Sequence, residues 1–149
     1  MTLTQWLAEG KLKAHHTRKE EIAGLFELVE RDIKNASVED LTPDWRFSIA
    51  YNAALNLATI PLLLSGYRTV AAKGGHHYIT ITALTETMGA EQKKRVQFLN
   101  ACRNKRHMTT YDSVCVVQES DVMELLDKVK VFQKDLMTWM QKAHPDFLT

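Results

Sequence analysis

"LTPDWRFSIAYNAALNLATIPLLLSGYR", residues 41–68, decides the fold. Thr42 is a good N-cap, and Pro43 suits the first helical position, where an N–H has no partner anyway. Gly66 supplies the stop. Between these ends, apolar residues occupy most of the helix circumference. A helix that is apolar nearly all round belongs at the buried centre of a bundle. Ser48, Asn52, Asn56 and Thr59 fall on one narrow strip at ~100° per residue. That strip is either the solvent-facing side of the helix or the seam of a homodimer. Pro61, inside the pattern, predicts a kink.

On either side the apolar spacing is also helical. A short helix is predicted over residues 3–8, ending at Gly10. Thr17 suits the N-cap of a second helix reaching Asn35, with Glu20 at capping-box spacing and Ile22, Leu25, Phe26, Val29 and Ile33 as its stripe. After "RTVAAKGG" a fourth helix is predicted from His76 to Met88. A fifth runs from Ala90 to Arg106 or His107. "MTTYDSVCVVQE" reads as irregular, with "VCVV" able to form a short strand. Ser120 then caps a last helix over residues 121–143, whose buried face is Val122, Leu125, Leu126, Val129, Phe132, Leu136 and Trp139. The expectation is one domain over residues 1–149, an all-α, up-and-down helical bundle of four or five main helices, with helix 3–8 as an appendage.

Composition narrows the function. The 149 residues are 45% hydrophobic and 25% charged, with a formal net charge of +1. A balance so near neutral gives no general attraction for nucleic acid or membrane, so any basic site must be local. Cys102 and Cys115 do not make a disulfide framework, which fits a reduced, cytoplasmic setting. "MTLTQWLAEGKLKAHH" lacks the apolar core of a signal peptide, and the apolar run "IPLLL" is too short to span a bilayer.

The local basic site is "CRNKRHMTTYD", residues 102–112. On the fifth helix Val96, Leu99 and Cys102 mark the apolar side. Arg106 falls near the angle of Leu99, and Arg103 and His107 fall near that of Val96. These three groups therefore continue the buried side where the helix leaves the bundle. A buried guanidinium needs an acceptor, so Arg106 should meet a carboxylate such as Asp112 or Asp44, or line a cleft. Lys93, Lys94 and Lys105 project away and read as solvated. Arg beside His suits phosphodiester chemistry: His moves a proton near neutral pH, and Arg steadies phosphate charge. Tyr111 can stack on a base. The plainer reading makes Arg106 a paired structural residue, His107 a complement to the helix dipole and Tyr111 a packing aromatic. His15–His16 and His76–His77 are adjacent pairs, which diverge on a helix and make poor metal pairs. "KGG" before His76 weakly suggests an anion-binding turn. No metal and no cofactor is expected.

The central half of the chain resembles HEPN domains. Ala50, Tyr51 and Ala53 match the Ala-Tyr-x-Ala helix, and leucines 62 to 64 match the Leu-rich run. Gly66-Tyr67 matches the Gly-aromatic stop, and His76 or His77 matches the His introducing the next helix. Arg106, Tyr111 and Asp112 match the Arg-x4-Tyr-Asp segment of one branch. The resemblance covers residues 45–112. It implies a helical bundle that often dimerises and a role in RNA metabolism, commonly in prokaryotic toxin–antitoxin or defence systems. Many members are metal-independent ribonucleases with Arg followed by His after four to six residues. Here only three residues separate Arg103 from His107, which counts against catalysis. Other members are non-catalytic and pair with small nucleotidyltransferases or bind RNA or nucleotides. The expectation is therefore such an accessory protein, as a homodimer. The alternatives are a ribonuclease toxin using Arg103, Arg106 and His107, and a plain protein-interaction bundle. Arg46, His76, His77, Tyr111 and Asp112 complete the candidate binding set.

Overall fold

The computed structural model describes residues 1–71, 74–111 and 117–148, with residues 109–111 as backbone alone. The fold is an all-α helical bundle. Its helices are α1 (Leu3–Ala8), α2 (Lys19–Ala36), α3 (Pro43–Leu64), α4 (His76–Thr82), α5 (Leu84–Thr87), α6 (Lys93–Tyr111) and α7 (Glu119–Ala143). Helices α2, α4, α6 and α7 all pack on α3. Phe47, Ala50, Tyr51, Ala53, Ala54, Leu57, Ala58, Ile60, Leu62 and Leu63 of α3 are buried. Its length and composition would also let α3 cross a membrane, contrary to the reading of "IPLLL" as the limit of the apolar segment. Its burial among the other helices is that of a core helix.

Pro61 lies inside α3, which continues to Leu64. Of the polar strip, Asn52 is exposed and Ser48, Asn56 and Thr59 are half-buried. Asn52 Nδ2 donates to Asp32 Oδ2 at 2.8 Å, and Arg31 donates to the other oxygen of the same buried carboxylate.

Several helix ends differ from expectation. Helix α2 is capped by Arg18 rather than Thr17. The Thr17 hydroxyl instead donates to Glu21 Oε1 at 2.6 Å, so the side chain is spent one turn on. The predicted fourth helix breaks at Ala83 into α4 and α5. A 3-10 turn over Ala90–Gln92 precedes α6, which runs on to Tyr111 because no Gly or Pro interrupts it after His107. Gln118, not Ser120, is the N-cap of α7, and its backbone N–H donates to Asp121 Oδ2 at 2.9 Å. Most of "VCVV" lies outside the described residues.

The chain is not wholly helical. β1 (Leu12–Ala14) and β2 (Tyr67–Thr69) form an antiparallel ladder, with Leu12 opposite Thr69 and Ala14 opposite Tyr67. The ladder holds α1 against the bundle. Trp6 and Leu12 are buried with Leu62, Ile79 and Ala83 in a second apolar cluster, so α1 is a packed element.

Arg46 is nearly fully buried beside the start of α3. Its Nε donates to Ala36 O at 2.7 Å, and its Nη1 reaches both Glu119 oxygens at 2.7 and 2.6 Å. One guanidinium thus joins the C-terminus of α2 to the first turn of α7. A cation there also complements the carbonyl end of the α2 dipole. Lys105, read as solvated, is half-buried, with its Nζ 3.0 Å from Asp121 Oδ2. This pair ties α6 to α7.

Candidate functional site

Helix α4 starts where Gly74 (φ 73°) and Gly75 (φ 67°) turn the chain through left-handed conformations. No Cβ favours that region, which is why two consecutive glycines fit this corner. The turn delivers His76, His77 and Tyr78 to the first turn of α4. Helix α4 packs on α6, and Asn100 Nδ2 donates to Thr82 Oγ1 at 3.3 Å between them. The same Asn100 accepts from Arg103 Nε at 3.2 Å. Arg103, Arg106 and His107 of α6 then face His76, His77 and Tyr78 across a pocket of about 200 Å³.

Two aromatic rings support the two guanidinium groups. Arg106 lies 5.4 Å from the centroid of Tyr51, whose ring is buried below the pocket. Arg103 lies 5.4 Å from the centroid of Tyr78, which is 45% exposed. Both distances fall within cation–π range. Among the described residues, neither Arg103 nor Arg106 has a carboxylate partner, and Asp44 forms no ion pair with Arg106. Arg106 lines a cleft, and its other expected partner, Asp112, lies outside the described residues.

The histidines form a ladder into the core. The rings of His76 and His77 meet edge to face at 4.5 Å. Tyr51 Oη lies 3.3 Å from His77 Nδ1. Burial pushes the Tyr51 hydroxyl up to about 12, so it keeps its proton. Burial, then the charges of His76, Arg106 and Arg103, push His77 down to about 4, so the imidazole is neutral at pH 7. Which of the two donates depends on the imidazole tautomer: with its proton on Nε2, His77 accepts from Tyr51 at Nδ1 and presents a hydrogen-bond donor in the pocket wall.

Five of the predicted site residues therefore meet: Arg103, Arg106, His107, His76 and His77. Arg46 does not line this pocket and is committed to Ala36 and Glu119. Tyr111 is the last residue of α6, described as backbone only, and Asp112 lies outside the described residues. Sequence reading missed Tyr51 and Tyr78 as site residues. Tyr78 follows the His pair directly, and a Tyr beside two His at a helix start was the available signal. Tyr51 stood out only as a match to the Ala-Tyr-x-Ala helix, and its contact with His77, 26 positions away, was not readable from spacing. Among the described residues no group of three or more His, Cys, Asp or Glu is placed to hold a metal ion.

Chemically, the pocket offers two fixed positive charges, imidazole donors and an exposed ring. That set matches a phosphate, whose oxygens accept from guanidinium forks and imidazole N–H groups. Comparison of the chain with protein-family models, curated proteins and solved structures finds no match.

Proposed function

We propose that the protein is a HEPN-like, RNA- or nucleotide-associated accessory protein of a prokaryotic toxin–antitoxin or defence-type system. In this reading it binds a phosphate group in the pocket between α4 and α6. The observation that carries the reading is the convergence of Arg103 and Arg106, without a carboxylate partner among the described residues, on His76 and His77. Two guanidinium groups that have no carboxylate partner among the described residues are costly to hold in a half-buried cleft for a purely structural role, and an anion offsets that cost. Neutral His77 adds a donor without adding repulsion between cations. The order of motifs from Ala50 to Asp112 supports the family. A homodimer and a small nucleotidyltransferase partner belong to the same proposal.

Salt-dependent RNA binding tests it. Affinity for a labelled RNA should fall with salt, with a log–log slope of about −0.7 per single-strand phosphate neutralised. Arg106→Ala should weaken binding about tenfold or more and make that slope shallower, with the helical circular dichroism unchanged. An affinity indifferent to Arg106→Ala in a folded protein sinks the proposal.

A ribonuclease reading has one observation in its favour. Arg103 and His107 are too close in sequence for the family's motif, yet α4 brings two more imidazoles to the same pocket. Acid and base can then come from different helices. RNA cleavage in EDTA that is lost in His77→Ala and in His107→Ala would carry this reading. Intact RNA after prolonged incubation would end it.

A further inference from the structure

We propose that Tyr78, backed by Arg103, is a nucleobase-stacking residue, so that the pocket's ligand is an unpaired nucleotide unit and not a bare phosphate or a duplex backbone. This rests on the reading of the pocket as a phosphate site and specifies what is attached to the phosphate.

Phosphate recognition does not require Tyr78. Arg103, Arg106 and the histidines already supply the charge and the donors. Yet Tyr78 leaves 45% of its surface in solvent at the rim of this cleft. Its neighbours in α4, Ile79 and Thr80, are buried, so the residue sits where the helix turns from the core to the pocket. An exposed ring alone is common, but this one lies within cation–π distance of a guanidinium that lines the same pocket. Arg103 is in turn fixed by Asn100, which is fixed to Thr82 of α4. The cation beside the ring is therefore held by hydrogen bonds that run back to α4.

A planar aromatic and a planar guanidinium held together make a surface that nucleobases stack on. Stacking tolerates any base, because every base has a π-face, but it needs that face uncovered. A base inside a duplex is stacked on its neighbours and cannot offer it. The shared chemistry is a base carrying its own phosphate, and both a free nucleotide and a single-stranded RNA present it.

The experiment compares four probes by titration: ribose 5-phosphate, adenosine 5′-monophosphate, a single-stranded RNA hexamer and a blunt RNA duplex. The wild type should bind the monophosphate about tenfold more tightly than ribose 5-phosphate. Tyr78→Phe should keep that ratio, and Tyr78→Ala should bring it close to one. The hexamer should bind more tightly than the duplex. A hexamer preferred over the monophosphate makes the ligand an RNA strand, and equal binding makes it a free nucleotide; both support the stacking role. Equal affinity for ribose 5-phosphate and the monophosphate, a ratio untouched by Tyr78→Ala, or a duplex bound as well as the hexamer overturns it. In those cases the phosphate site itself stands. If none of the four probes binds, the phosphate site fails, and the stacking role fails with it. Because Tyr78 is exposed, its substitution should leave the fold intact, as circular dichroism can verify.

Discussion

Tyr51 Oη sits 3.3 Å from His77 Nδ1, joining the buried central helix to the wall of the pocket. Protonating His77 would set a charge in a desolvated place already facing Arg103, Arg106 and His76. This is the physical reason the imidazole is held down to about 4. An unfolded His titrates near ~6.5. Between those values the unfolded chain binds a proton that the folded chain does not, so stability rises with pH. The contribution of His77 is fully present above the unfolded value and is lost as pH falls through about 4. Denaturant midpoints measured from pH 7 to pH 4 should decline, and the decline should be shallower in His77→Gln. Nitrogen-15 NMR should show His77 neutral at pH 7 with the proton on Nε2, and bound phosphate should raise its midpoint. A His77 midpoint near the unperturbed value in the free protein would contradict the geometry.

Arg46 makes a separate prediction. Its side chain is 3% exposed, whereas that of Glu119 is 57% exposed. Removing the guanidinium strands the Ala36 carbonyl but leaves Glu119 free to rehydrate. Charge-assisted hydrogen bonds and the vacated volume together suggest that Arg46→Ala costs about 2–4 kcal/mol. Arg46→Lys should recover only part of this, because an ammonium cannot serve both acceptors in the same fork geometry. Glu119→Gln should cost much less, since solvent screens that end of the pair. Urea titrations give all three values. RNA affinity of folded Arg46→Ala should equal wild type; a large loss would return Arg46 to the binding set.

These residues also show which parts of the molecule were legible beforehand. The ends of α3 were readable because Thr42, Pro43 and Gly66 act locally. The buried stripes of α2 and α7 were readable because period alone assigns a face. The angular position of Arg106 placed it on the buried side, and it does line a cleft there. Arg46 was illegible as a staple, because its acceptors come from residues 36 and 119. The Tyr51–His77 contact and the ladder between residues 12–14 and 67–69 were hidden for the same reason: each depends on how elements distant in sequence pack. The start of α7 was misread because Ser120 is the better cap by type. The bond that closes the turn runs from the Gln118 backbone N–H to the Asp121 carboxylate, so the acid three residues after the cap completes a capping box there.

Cys102 should be chemically inert in the folded protein. Burial, followed by the nearby charge of Glu124, pushes its thiol up to about 12, with Lys105 acting the other way and Asp121 adding to the rise. The thiolate is the reactive form. In a Cys115→Ser background at pH 8, an aromatic disulfide reagent should modify Cys102 only as fast as the protein unfolds. Adding urea below the midpoint should accelerate the reaction. Rapid modification of the native protein would mean that α6 opens away from α3 and α7 far more readily than its packing suggests.

Two glycines should respond oppositely to alanine. Gly24 lies inside α2, where its φ is not positive and an added Cβ meets nothing within 4 Å. Alanine there lowers the entropy of the unfolded chain and suits the helix, so Gly24→Ala should stabilise by about 0.5–1 kcal/mol. Gly75 also has open space around it, but its φ is 67°. Its cost is therefore conformational rather than steric crowding by neighbours, about 1–2 kcal/mol for an L-residue held left-handed. Gly75→Asn should be milder, since Asn tolerates that region better. The two sites differ in function as well. Relaxing the turn at residue 75 moves His76, His77 and Tyr78 relative to Arg103 and Arg106, so Gly75→Ala should weaken RNA binding even where the protein stays folded. Gly24→Ala, outside the pocket, should not. Thermal melts and RNA titrations on the same two preparations separate the effects. Equal RNA affinity in both variants would show that the corner at Gly75 does not set the geometry of the pocket.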